Sequence, residues 1–293
     1  MITSDWYLVG APWDCSGTGR GEQQAPGVLR RAGLSALVAA DFGDAATRIG
    51  STARDPATGV RALPETVAAT RELARTLDAA ARRHPGMRPL VVGGDCSLLF
   101  GVFAHLREPA GLCYVDGHPD YGTGHTSETG ETADLDLAVL TGDGPAELAG
   151  AGPLVAVERV ALIGHRTEGL DPESAAELGR VPVEMFTVGA PEVLRDPGRA
   201  GRAVAEWGSA LGVPLWLHLD VDVLDPGALP AVTYPQPGGP DFDQLAALLA
   251  PVAAAPRLIG LSVADFRPDL DPGGRYAALL VDLVGGLLAE ARK

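Results

Sequence analysis

Leu112-Cys113-Tyr114-Val115-Asp116-Gly117-His118-Pro119-Asp120 decides how this chain reads. Residues suited to a buried strand run into Asp116, His118 and Asp120 at alternate positions, and the glycine-rich loop Tyr121-Gly122-Thr123-Gly124 follows at once. Side chains two apart in an extended segment point the same way. Three potential metal ligands therefore converge where the strand leaves its sheet, which is where open parallel α/β sheets place their sites. Two other stretches end alike. In Pro214-Leu215-Trp216-Leu217-His218-Leu219-Asp220-Val221-Asp222-Val223-Leu224-Asp225-Pro226 an apolar run closes on the alternating carboxylates Asp220 and Asp222 and an Asp-Pro turn signal. In Pro89-Leu90-Val91-Val92-Gly93-Gly94-Asp95-Cys96-Ser97 a double glycine delivers Asp95 and Cys96. Any one of these is as well explained by a turn capping a helix. The three together predict a metal site, because carboxylates gathered at one sheet edge repel unless cations neutralise them.

Outward from these stretches the chain alternates strand, loop and helix. Expected strands are 6–10, 89–92, 112–115, 159–164, 181–186, 214–219 and 257–263; expected helices are 26–34, 64–84, 98–102, 135–140, 190–211, 241–254 and 276–291. Pro26 suits a first helical turn and His84-Pro85-Gly86 a stop. This rhythm, with functional-looking residues at strand ends, is the doubly wound α/β pattern. The chain of 293 residues is expected to form one domain, 1–293. The loop from Ala11 to Glu22 is glycine-rich but lacks the GK[ST] ending of a phosphate cradle, so it is expected at the rim of a site.

A net charge of -15 argues against nucleic acid or an anionic membrane as partner, since both select basic surfaces. No apolar run approaches the roughly 20 residues of a membrane helix. Three cysteines without CxxC spacing, and an N-terminus Met1-Ile2-Thr3-Ser4-Asp5-Trp6 without a basic, apolar leader, lead to a cytoplasmic expectation.

Gly93-Gly94-Asp95-Cys96-Ser97, Asp116-Gly117-His118-Pro119-Asp120 and Asp220-Val221-Asp222-Val223-Leu224-Asp225-Pro226 resemble, in order and spacing, the metal-binding signatures of the arginase/agmatinase (ureohydrolase) superfamily. The likeness extends to Pro26-Gly27-Val28-Leu29-Arg30 and to residues 258–268, nearly the whole chain. It implies a three-layer α/β/α sandwich around a mainly parallel sheet, a trimer or hexamer, and two divalent metal ions, Mn(II) in the family, whose bridging hydroxide attacks a guanidinium carbon so that urea leaves. Carried onto this sequence, it implies that Cys96, Asp116, Asp120 and Asp220 hold one ion and Asp116, His118, Asp220 and Asp222 the other. Asp120 would also orient the hydroxide.

The departures are informative. The family usually has histidine at position 96; a cysteine thiolate is softer and admits Zn, Co or Fe. Cys96 with Gly117 before His118 resembles a branch of hydroxyarginine amidinohydrolases from D-cycloserine biosynthesis, which implies a modified guanidine as substrate. Ala133 stands where the family has a proton-shuttle histidine, leaving His125 or Glu131 as candidate substitutes. Gly122 replaces an asparagine that holds a substrate carboxylate. Asp265 stands where a glutamate grips the guanidinium, and it joins Thr129 and Glu168 as the candidate substrate contacts. The implied activity is hydrolysis of a linear guanidine or amidine at a C–N bond. The alternative is a catalytically inactive member that binds or scaffolds. A deacetylase-like relative would need a tyrosine that no matching position supplies.

Overall fold

The computed structural model describes residues 5–150 and 152–292, so residues 1–4 of the supposed leaderless N-terminus lie outside the described residues. Eight strands are described: β1 Trp6–Ala11, β2 Ala40–Asp44, β3 Arg88–Gly93, β4 Gly111–Val115, β5 Val160–Ile163, β6 Phe186–Val188, β7 Leu215–Asp220 and β8 Leu258–Ala264. Every neighbouring pair is parallel, in one sheet of order β2-β1-β3-β8-β7-β4-β5-β6. The helices are α1 Ala25–Arg31, α2 Leu63–Arg83, α3 Leu98–His105, α4 Asp136–Leu140, α5 Ala146–Ala149, α6 Pro172–Leu178, α7 Ala190–Arg195, α8 Pro197–Leu211, α9 Phe242–Ala253 and α10 Arg275–Glu290.

The period-two alternation of the strands sorts their side chains into two cores. Leu8, Leu90, Val92, Val115, Leu217 and Leu219 pack with α1, α8, α9 and α10. Tyr7, Val9, Val91, Leu112, Tyr114 and Trp216 pack with α2, α3 and α4. Both faces of the sheet are covered, which is why its strands read as continuous apolar runs. The result is the three-layer α/β/α sandwich that was expected. Room for one indole is made by Gly260 on β8, where a Cβ would lie 2.1 Å from the Trp216 ring on neighbouring β7.

The winding positions the site. From β1 the chain builds outward to β2 and returns to β3; from β4 it builds the other way to β6; β7 and β8 then fill the gap between β3 and β4. The carboxyl ends of β3, β8, β7 and β4 are thereby neighbours at the place where strand order reverses. Those four ends carry Cys96, Asp265, Asp220 with Asp222, and Asp116 with His118 and Asp120.

Local expectations need four corrections. β2 was not expected. The strand placed at 181–186 begins only at Phe186, since residues 181–185 form turns around Pro182. The helix expected over 190–211 breaks at Asp196 because Pro197 has no N–H to continue α7 and instead opens α8, capped by the Asp196 carboxylate accepting from Arg199 N–H. Finally, the short helices α5 and α6 were not expected, although the Asp171 cap and Pro172 of α6 are ordinary start signals.

Candidate metal centre

Two strand ends build the centre with the same device. After β4, His118 N–H donates to Asp116 Oδ1 at 2.7 Å; after β7, Asp222 N–H donates to Asp220 Oδ1 at 2.6 Å. Each aspartate folds the chain back on itself in a side-chain turn, so the residue two further on returns to the same face. Gly117 N–H donates across to Asp222 Oδ1 at 3.1 Å and ties the two turns together. At the end of β3 the requirement is steric: a Cβ on Gly94 would lie 1.6 Å from the Trp13 carbonyl oxygen, so a side chain is excluded there. Asp95 is buried and accepts from Cys15 N–H at 2.6 Å and Ser97 N–H at 3.1 Å, clamping the 11–22 loop to the site. Asp120 (φ 44°) and Asp265 (φ 68°) are held left-handed, a conformation side chains rarely take and that concentrates at functional sites.

The donor atoms fall into overlapping groups. Cys96, Asp116 and Asp120 offer one atom each within 4.8 Å of one another, and so do Cys96, Asp220 and Asp265, and Asp116, His118 and Asp222. Cys96 Sγ lies 2.9 Å from Asp220 Oδ2 and 3.2 Å from Asp265 Oδ2. His118 Nδ1 lies 2.9 Å from Asp222 Oδ2 and 3.7 Å from Asp116. The structure thus brings together all six residues singled out as metal ligands and adds Asp265.

Their electrostatics do not settle without a cation. Burial first, and then neighbouring carboxylates, push Asp120, Asp220 and Asp265 well above the usual carboxylate range, and Asp116 is raised for the same reasons. Burial alone would lower His118, but Asp222 and Asp116 outweigh it and hold the imidazole well above its ordinary value. Asp222 is lowered, its burial being outweighed by His118. Burial and the facing aspartates push the Cys96 thiol well up. Asp116 Oδ2, fully buried, has no hydrogen-bond partner among the described residues. A buried carboxylate oxygen without a donor, next to carboxylates that suppress each other's ionisation, fits a divalent cation, whose charge reverses these shifts.

The reading of the sequence passed over several residues here. Tyr114 Oη is shared between Asp120 Oδ2 at 2.5 Å and Asp136 Oδ1 at 2.9 Å. His218, buried and held neutral by burial at about 3, sits 3.0 Å from Cys96 Sγ. Both stand at alternate strand positions, Tyr114 two before Asp116 and His218 two before Asp220, so the spacing that revealed the aspartates also marks them. Glu22, Asp134 and Glu177 come from loops and from α6, where no periodicity pointed inward.

A cavity of about 250 Å³ opens over the centre, lined by His118, Asp120, Asp220, Asp222 and Asp265 at its floor and by Arg20, Thr129, Glu131, Asp134, Glu177 and Tyr234 higher up. Thr129 is in it, its hydroxyl 3.1 Å from Asp134 Oδ2. Glu131 is in it but engaged, accepting from Arg20 Nη2 at 2.8 Å and from Tyr234 Oη at 3.3 Å. His125 and Glu168 are not among the lining residues. The His125 ring turns to the Ala57 carbonyl, Nε2 to oxygen 3.2 Å, and Glu168 is exposed on the loop after β5. The expectation that these two face the reacting centre is therefore corrected: each belongs to a loop whose own hydrogen bonds or solvation turn it outward.

A sequence profile of the arginase family matches residues 4–289. An arginase of Bacillus caldovelox is 30% identical over 97% of this chain and 97% of its own length. The native structure of arginase from Bacillus caldovelox at pH 5.6 superposes with a TM-score of 0.85, at 27% identity, over 98% of both chains. The N(omega)-hydroxy-L-arginine amidinohydrolase of Streptomyces lavendulae is 29% identical over 67% of each chain.

Proposed function

Because the chain belongs to the arginase family, we propose that it is a metal-dependent amidinohydrolase that cleaves a C–N bond of a linear guanidine or modified guanidine and releases urea or a substituted urea. The observation that carries this is the convergence of Cys96, Asp116, His118, Asp120, Asp220 and Asp222 beneath an acidic cavity, with Asp116 Oδ2 left without a donor. Cys96, Asp116, Asp120 and Asp220 would hold one divalent ion, and Asp116, His118, Asp220 and Asp222 the other. The ions are Mn(II) as in the family, with Zn, Co or Fe admitted by the softer cysteine. When bound, such ions supply a water acidic enough to attack near neutral pH.

The chain's own residues do the rest. Asp120 accepts a hydrogen bond from the attacking oxygen and orients it, and Tyr114 fixes that carboxylate by donating to it. The floor and walls of the cavity are carboxylate-rich, which draws in a guanidinium and disfavours an anion. Thr129 offers a hydroxyl along the way. Glu131, tied to Arg20, holds the rim rather than moving a proton. With Ala133 facing the cavity and His125 outside it, no imidazole of the 121–135 loop stands ready to protonate a basic amine as it leaves. A substrate whose leaving nitrogen is less basic suits that arrangement; the name of the Streptomyces relative points separately to a hydroxylated guanidine as a substrate class.

Two further readings accompany this one. Membership of the arginase family is what supports a trimer or hexamer. Three unpaired cysteines support a cytoplasmic setting. Among the described residues no helix is long and apolar enough to cross a membrane. No observation favours the inactive alternative. The test is urea or hydroxyurea release from arginine, agmatine and N-hydroxyarginine by protein loaded with Mn(II), Co(II) or Zn(II). Release that chelator abolishes and metal restores is expected; a folded, metal-loaded protein inert toward all of them overturns the reading.

A further inference from the structure

Cys96 is served from below by a chain of buried donors. Trp216 Nε1–H can only donate, and it lies 2.8 Å from Ser262 Oγ. The same hydroxyl is 2.8 Å from His218 Nδ1, and His218 Nε2 is 3.0 Å from Cys96 Sγ. Trp216, His218 and Ser262 are 0% exposed and Cys96 1%, so no hydrogen in this chain can turn to solvent. Ser262 accepts from Trp216 and must place its own proton; the acceptor on the other side is His218 Nδ1. The imidazole then carries its hydrogen on Nε2 and aims it at the sulfur. The opposite tautomer would leave the Ser262 proton without an acceptor inside the core, a cost of a buried polar group with no partner.

The geometry points to His218 as a positioning residue for the metal position built on Cys96. It acts by donating Nε2–H to the sulfur, so that Cys96 enters the site as a thiolate ligand held in one orientation. The inference rests on the reading of Cys96 as a ligand. Without metal the sulfur can accept from His218 while its own S–H donates to Asp220 Oδ2 at 2.9 Å. When a cation displaces that proton, the His218 donor remains and strengthens, since hydrogen bonds to an ionised acceptor are the stronger ones. The two metal positions are thereby unequal: the Cys96 position has a sulfur ligand with a fixed N–H behind it and suits a softer ion, whereas the position with His118 and Asp222 has only nitrogen and oxygen donors.

Cobalt reports this without any turnover. Metal-free protein titrated with Co(II) should show a thiolate-to-cobalt charge-transfer band in the near ultraviolet that Cys96→Ser abolishes. His218→Ala should shift that band and weaken the band-bearing equivalent about tenfold or more, the range for loss of a ligand's support, and leave the other equivalent unchanged. His218→Gln, which keeps an N–H donor, should recover part of both. In ¹⁵N-histidine spectra of the zinc-loaded wild type, His218 should appear as the Nε2–H tautomer, a readout that needs no variant to fold. An unchanged band and affinity in His218→Ala, or an Nδ1–H tautomer, overturns the role of His218 while Cys96 stays a ligand. Cobalt bound without the charge-transfer band overturns Cys96 as a ligand, and this inference with it.

Discussion

Cys96 and Tyr114 show how much a single side chain can set at this site. Cys96 stands between Asp220, Asp265 and His218, so an imidazole at position 96 needs the room that His218 occupies. The double variant Cys96→His/His218→Ala is predicted to bind Mn(II) about tenfold more tightly than wild type, because a harder donor replaces the thiolate and a tenfold change is the usual size of ligand-shell effects. Titration calorimetry reads this directly, and unchanged Mn(II) affinity would remove Cys96 from the ligand set. Tyr114 is the hydroxyl between Asp120 and Asp136, both pushed well above the usual carboxylate range, chiefly by burial. Tyr114→Phe takes away their shared donor, and the expected loss is about 1–3 kcal/mol of stability in the chelated protein, measured as a shift of the urea midpoint. A midpoint within error of wild type would mean that the two carboxyls satisfy each other.

Among the elements, those that build the site were legible because they obey one simple rule. β3, β4, β7 and β8 are apolar runs buried on both faces, each ending in polar residues at alternate positions, and the expected strands fall on them within a residue or two. Elements at the edges obey weaker rules. β2 is Ala-Asp-Phe-Gly-Asp, an exposed edge strand with a single large apolar side chain, and its pairing with β1 comes from the sheet rather than from its own pattern. For β6 the three residues Phe186–Val188 were too few to place. The candidate ligands were therefore readable, being local, whereas Glu177, Arg20 and Tyr234 reach the cavity only through tertiary folding of loops and of α6. His125 and Glu168 were misplaced for the converse reason, since a sequence shows that a loop passes near the site but not which way its side chains turn. At this scale Gly260 makes a sharp test. Gly260→Ala pushes a Cβ against the Trp216 ring and is predicted to cost about 1–3 kcal/mol by overpacking, visible as a lower Tm. A neutral substitution would show that β7 and β8 are looser than described.

Over the whole molecule the governing fact is that winding gathers like charges. Sheet order puts four strand ends side by side, and Asp116, Asp120, Asp220, Asp222 and Asp265 converge there. Its pH dependence follows. Asp120, Asp136, Asp220, Asp265 and His118 all have folded-state pKa values raised well above their ordinary ones, and Glu22 and Glu177 are raised to about 7. Each adds stability that is fully present below its unfolded pKa and is lost as pH rises through the folded one. Buried His165 and His218, lowered to about 4 and about 3, act in the opposite sense, but their contribution is complete above about pH 6.5, the unfolded histidine value. Above about pH 6.5 only the first set changes, so the chelated protein is predicted to lose thermal stability as pH rises toward about 8.5. Metal binding favours the ionised ligands, and the gap in Tm between loaded and chelated protein should widen over the same range. A chelated protein whose Tm is flat or climbs there would mean that the buried carboxyls are already relieved by some other means. The measurement closest to the central claim is metal content per chain by elemental analysis after loading with Mn(II), Co(II) or Zn(II) and removal of loosely held ion. The overlapping donor groups around Cys96, Asp116 and Asp220, read as two ion positions, predict close to two equivalents per chain, and a folded protein that retains none would overturn that reading.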